Sequence, residues 1–241
     1  MGKFSVTTKI DKEVMPDAVS ISFRLHIFCK DKADIVKTHV LQLNNIKDVV
    51  LNIFPTAVVK FDTIQVYKKT DDTVITNTKH KVLIGTSETV TQTKREEVGY
   101  DAYNTSSISI EDISDISSIT RVVDMLLKCE EIEVMSVKGY VKDIQDICLK
   151  LRSEVGKKAK DQATTVITPM GYKITGIDNI QYNMPDTDAR YLRSAACVDQ
   201  FSYQEQADDT GIELYAEGLV RDALNTPSTF SDRITATFIV E

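Results

Sequence analysis

The chain has 241 residues, of which 42% are hydrophobic and 27% charged, a balance that fits a folded soluble domain and excludes fibrous or disordered material. Twenty-nine Lys and Arg against 36 Asp and Glu leave a net charge of −7, which argues against a surface that grips nucleic acid through its phosphates. No run approaches the roughly 20 apolar residues of a membrane-spanning helix, so membrane insertion is not expected.

The opening residues, MGKFSVTTKI, lack the apolar core of a secretory signal, and Val6 stands where a myristoylation site needs Ser or Thr. From Asp17 to Cys29 the residues Val19, Ile21, Phe23, Leu25, Ile27 and Cys29 alternate with Ser20, Ser22, Arg24 and His26, which predicts a long half-buried strand. A helix follows, with Asp31 as its cap, Asp34 in its first turn and Pro55 as its stop. Its stripe is predicted as Val36, Val40, Leu43, Ile46 or Lys47, Val50 and Ile53. A strand is predicted over Val58 to Lys68, another over Tyr103 to Ile110, and a helix over Ile113 to Lys128 through Ile116, Ile119, Val123 and Leu126 or Leu127. Ile132 to Tyr140 alternates again. The next helix, Val141 to Ile167, carries Ile144, Ile147 or Cys148, Leu151, Val155, Ala159 and Ala163, and stops near Pro169 and Gly171. Strands over Tyr172 to Tyr182 and Ile234 to Val240 complete an α+β domain, largely antiparallel sheet with two or three helices on one face.

Two segments stand outside that plan. Thr70 to Glu97 is rich in Thr and predicts a long hairpin arm turning near Asn77 to His80 or near Gly85. An isolated two-stranded ribbon is marginal in water. Asn183 to Ser228 reads as a long acidic insertion around Asp208 and Asp209. The whole chain, 1–241, is thus one domain with a core of 1–69, 98–182 and 229–241, an arm of 70–97 and an insertion of 183–228. Both excursions are expected to be completed by a partner.

Chemistry is sparse. The three histidines, His26, His39 and His80, form no zinc-ligand spacing, and each is assigned a surface or packing role. Cys29, Cys129, Cys148 and Cys197 form no CxxC pair and are expected as reduced thiols. Gly156-Lys157-Lys158 ends like a phosphate loop, but Leu151 replaces the first glycine and the setting is mid-helix, so Lys157, Lys158 and Lys160 are assigned to a solvated face. Glu130, Glu131 and Glu133 read as a solvated turn. Asp186 and Asp188 beside Arg190 lack the glycine and terminal glutamate of a calcium loop. No catalytic, cofactor-binding or metal-binding residue is predicted, and no cofactor.

The run VGYDAYNTSSISIED resembles a segment of SIMPL-domain proteins, through Val98, Gly99, Tyr100, Ala102, Asn104, Ile108, Ile110 and Asp112. Ala159, Ala163, Gly171, Ile174, Gly176, Ile177 and Ile180 are similar to the family's long helix and the strand after it. Pro16-Asp17-Ala18 and the closing Ile234, Thr235, Ala236 and Phe238 match its first turn and last strand. The resemblance implies architecture, with no catalytic residues to carry over, and one periplasmic member of the family assembles into a channel-like homo-oligomer.

The function expected is a non-enzymatic structural subunit whose partner is itself, in a homo-oligomeric ring, most concretely a tail or connector ring of a bacteriophage virion beside other virion or assembly proteins. No sequence-specific nucleic acid is expected as a partner. The location that follows is the virion, assembled in host cytoplasm. The alternative is a cytoplasmic or cell-envelope SIMPL protein acting as an interaction or stress-response module.

Overall fold

The computed structural model describes residues 2–80, 87–183, 196–197 and 209–241. The strands are β1 (Gly2–Val14), β2 (Ala18–Cys29), β3 (Val58–Phe61), β4 (Gln65–His80), β5 (Ser87–Ile110), β6 (Ile132–Tyr140), β7 (Ile174–Asn183), β8 (Ala196–Cys197) and β9 (Ser228–Val240). The helices are α1 (Lys32–Ile53), α2 (Ile116–Leu127), α3 (Ile144–Ile167) and α4 (Asp209–Asn225). They build an α+β fold with two antiparallel sheets. One has the order β3-β5-β2-β6-β8, with β4 also paired to β5; the other is β1-β9-β7.

The alternation in β2 sets the larger core. Val19, Ile21, Phe23, Leu25 and Ile27 are all buried, in one cluster with Ile108 and Ile110 of β5 and with residues of α1, α2 and α4. Burying each large side chain stabilises the fold by about 1.5–3 kcal/mol. The smaller sheet has its own helix. Val155, Ala159, Ala163 and Ile167 of α3 pack on Ile234, Ala236 and Phe238 of β9, with Phe4, Val6 and Ile10 of β1 partly buried beside them. The two alanines let helix and sheet approach closely. Beyond α3, a short 3-10 turn over Thr168–Met170 leads to Gly171, whose φ of 82° is left-handed and turns the chain into β7.

Four expectations need correction. In α1 the buried stripe starts at Ile35 and His39, while Val36 and Val40 are exposed, and Asp31 makes no side-chain cap bond. The stripe passes through His39 because Asn104 on β5 gives its ring a partner, so polarity misplaces the first two turns. The strand over Val58 to Lys68 is two strands: Phe61 pairs with Ser106 and Gln65 with Tyr103, and residues 62–64 bulge between them. Asn77 to His80 is paired strand, with Asn77 opposite Val90 and His80 opposite Ser87, so the hairpin does not turn there; Gly85 lies outside the described residues.

The fourth correction concerns the late insertion. Its second half is α4, which buries Ala216, Leu219, Val220, Ala223 and Leu224 in the main core, and β8 pairs with β6. The three- and four-residue spacing of those apolar side chains is the helical signal in the sequence, diluted by Gly211 and Gly218. The segment from Asp209 to Asn225 therefore needs no second molecule to complete it.

Candidate functional site

The β4–β5 ribbon leaves the large sheet at a bulge. Lys69 pairs with Gly99 and Thr70 with Glu97, so Val98 is extra on β5. A Cβ on Gly99 would lie 2.7 Å from the Cys29 carbonyl oxygen and from the Phe28 ring, so the crowded root admits only glycine. Lys68 Nζ sits 2.5 Å from Glu97 Oε2. That contact, with a hydrogen bond to Tyr100, holds the Glu97 carboxyl below its ordinary range, and the same carboxylate raises Lys68. Past this root, Thr70 to His80 pairs with Ser87 to Glu97, and among the described residues no third strand joins them.

Among the described residues the large sheet carries its helices on the face of Val19, Ile21 and Phe23. Its other face presents Ser20, Ser22, Ser107 and Ser109 as a low hydroxyl floor on β2 and β5. Beside them stand taller cross-strand groups: Arg24 to Glu133 at 3.1 Å, His26 Nε2 to Asp101 Oδ1 at 3.0 Å, and Tyr67 stacked on Tyr103 with centroids 5.0 Å apart. Asp101 also lies 4.0 Å from Lys69, whose ammonium sits 5.1 Å over the Phe28 ring. Beside these groups an open cleft of about 1010 Å³ is lined by Arg24, His26, Tyr103, Thr105 and Glu133 and by Phe61, Asp62 and Gln65, where β3 gives way to β4. Two charge pairs lie within the face, Arg24 with Glu133 and His26 with Asp101, and Asp62 also lines the cleft.

Among the described residues the smaller sheet has two unpaired edges, β1 and β7. A mostly apolar groove of about 560 Å³ runs between β1 and α3, lined by Phe4, Val6, Thr165 and Val166 with Lys158, Asp161 and Gln162 beside them. On the opposite edge Ile177, Ile180 and Tyr182 of β7 stay exposed.

The sequence-singled residues are dispersed. His26 is on the open face, and His39 is buried on α1. His80 ends β4, and its side chain lies outside the described residues. Cys29, Cys129 and Cys148 carry free thiols. The Cys129 thiol is raised by burial and by its hydrogen bond to Glu131, which makes it a poor nucleophile. Gly156 to Lys158 is mid-α3, as the failed phosphate-loop reading requires. Glu133 pairs with Arg24, whereas Asp186, Asp188 and Arg190 lie outside the described residues. Among the described residues no three His, Cys, Asp or Glu side chains converge to hold a metal, and no helix is long and apolar enough to cross a membrane. Sequence reasoning missed the β1 groove and the bare β7 edge. The alternation of Phe4, Val6 and Ile10 was the available signal.

Together these features define a two-sheet α+β domain that carries an arm, an open sheet face and, among the described residues, two unpaired strand edges. The chain belongs to the SIMPL family: that family's model, described as a protein of unknown function (DUF541), matches residues 4–238. No curated protein matches the chain. The family's signature residues acquire physical reasons here. Gly99 makes the arm root, Ala102, Ile108 and Ile110 are buried, Asn104 holds His39, and Gly171 ends the α3 region.

Proposed function

We propose that this protein is a non-enzymatic structural subunit that assembles with copies of itself into a ring or channel. The observation that carries the reading is the ribbon beyond Gly99. Eleven cross-strand pairs, Thr70 with Glu97 through His80 with Ser87, project past the sheet with both outer edges unpaired among the described residues. A ribbon of that length gains stability when a further strand or surface covers it. The most concrete version is a tail or connector ring of a bacteriophage virion. A cytoplasmic or cell-envelope assembly built by the same contact differs only in its neighbours, and the proteins that co-purify with the multimer separate the two settings.

The test is mass photometry of the purified chain over a dilution series, beside a variant in which residues 71–96 are replaced by a short turn. The reading expects multimers from the full chain, and a folded species of lower order from the variant. A full chain that stays monomeric, or a variant that assembles like the full chain, overturns it.

A further inference from the structure

The smaller sheet is built as half of a joint on each side. β1 and β7 both run antiparallel to β9, so they run parallel to one another on the two outer edges of the same sheet. Across β9, Phe4 and Ile177 both flank Phe238, and Val6 and Ile180 both flank Ala236, so all four point to the face that carries α3. α3 packs over β9 and β1 and reaches β7 at its ends, through Ile174 and the Arg152–Tyr182 contact, while Ile177 between them stays exposed. The result is asymmetric. On the β1 side an apolar groove lies open between strand and helix; on the β7 side Ile177 is 57% exposed and Ile180 36%.

From this we infer that β7 of one copy pairs with β1 of the next, in parallel, and places its Ile177 and Ile180 in the groove formed by Phe4, Val6 and Val166. The inference deepens the assembly reading and rests on it, by naming a second surface that joins the copies beside the ribbon. An edge strand recruits another through its unpaired N–H and C=O groups, and alternate side chains then find the groove. α3 would cover two strands of its own chain and one of its neighbour. A second copy is the occupant because both halves of the joint are on this chain: a foreign strand on β1 would leave Ile177 and Ile180 in water. The contact is head to tail, so it repeats, and it closes into a ring where the rotation between copies permits.

The experiment uses the full chain with two pairs of substitutions, all at exposed positions. Ile177→Lys/Ile180→Lys spoils the β7 edge; Thr165→Lys/Val166→Lys spoils the groove. Each variant should keep the circular-dichroism spectrum of the wild type. Each should dissociate at a concentration on the order of tenfold higher or more, since an ammonium would have to enter an apolar contact. Mixed together, the two variants should form a one-to-one species that neither forms alone, because each retains one sound edge. Variants that assemble like the wild type overturn the joint. Edge variants that assemble while the arm-deleted chain does not would sink only the joint. A wild-type chain that never multimerises sinks the joint and the assembly reading together.

Discussion

Gly139 on β6 lies directly under the Ala223 carbonyl of α4. A Cβ built on this glycine would come within 2.2 Å of that oxygen and within 2.6 Å of the Pro16 ring. The close approach is what seats α4 on the sheet, where it buries Leu219, Val220 and Leu224. Backbone atoms cannot swing aside as a side chain can, so Gly139→Ala must push the helix outward. The expected loss is about 1–3 kcal/mol, the usual range for forcing an extra methyl into a packed core. Urea denaturation measures it. Hydrogen exchange should show the amides of residues 212–225 losing protection before those of β2, and equal protection in variant and wild type would show that α4 does not depend on the contact.

His39 predicts a pH dependence with a definite sign. Its ring is buried, and Nε2–H donates to Asn104 Oδ1 at 2.8 Å, while Asn104 Nδ2 donates to Ser106 Oγ at 2.9 Å. Burial lowers the pKa of His39 from 6.5; the Asn104 bond opposes that, and His26 adds to it. A depressed value means that the unfolded chain binds the proton first, so stability is level above about pH 7 and falls as the pH drops through 6.5 toward the folded value. The carboxylate window is separate. Asp115 caps α2 through the hydroxyl and N–H of Ser118, which hold its carboxyl below 3.8, so its contribution fades only in stronger acid, as the pH falls through that lowered value. His39→Gln keeps a donor for Asn104 and cannot titrate. Its stability should lose the slope that sets in as the pH falls below about 7, as read by thermal melts; an unchanged slope would assign it to other groups.

A third expectation concerns the buried carboxylate on β9. Asp232 is 3% exposed; Arg152 Nε of α3 approaches its Oδ2 at 3.4 Å, and the Arg233 N–H donates to its Oδ1 at 2.8 Å. The Arg152 guanidinium also lies 5.0 Å from the Tyr182 ring, so one side chain ties α3 to both β9 and β7. Arg152→Met keeps most of the packing and removes the charge. Leaving the carboxylate buried without its cation should cost about 1–3 kcal/mol, measurable by chemical denaturation. A loss below about 0.5 kcal/mol, the level of an ordinary surface change, would mean that solvent reaches Asp232.

How much of this was legible follows from what each element buries. β2 and β6 could be read because their neighbours are sheet and helix on one side and water on the other, which leaves a period of two. α3 was readable for the same reason at four-residue steps. The first turns of α1 were not, since a buried histidine with an asparagine partner looks polar in the chain and behaves as core in the fold. α4 was hidden by small residues: Ala216 and Ala223 bury no less completely than Leu219, yet they carry little hydropathy signal. The β1–α3 groove and the exposure of Ile177 depend on how a helix lies across a sheet, and that is a tertiary fact. Gly99 and Gly139 stand in the sequence as plain glycines until the atoms facing them are placed.

The two excursions that looked alike in the chain should respond oppositely to removal. Cutting residues 71–96 takes away strand that is paired only with itself among the described residues, so the core should keep its melting temperature within the few degrees that mass action on assembly allows. Cutting 184–227 removes α4 and strips Leu219, Val220 and Leu224 from the main cluster. At about 1.5–3 kcal/mol for each large side chain, that loss is comparable with the 5–15 kcal/mol by which a domain of ordinary stability stays folded. The first deletion should therefore yield a soluble folded protein and the second an aggregating or unfolded one, as judged by circular dichroism and gel filtration. A folded protein from the second deletion would show that α2 and β6 close over the space that α4 leaves. An unfolded protein from the first would show that the ribbon stabilises the sheet at its root, through Gly99 and the Lys68–Glu97 pair, and that assembly is not what the arm is for.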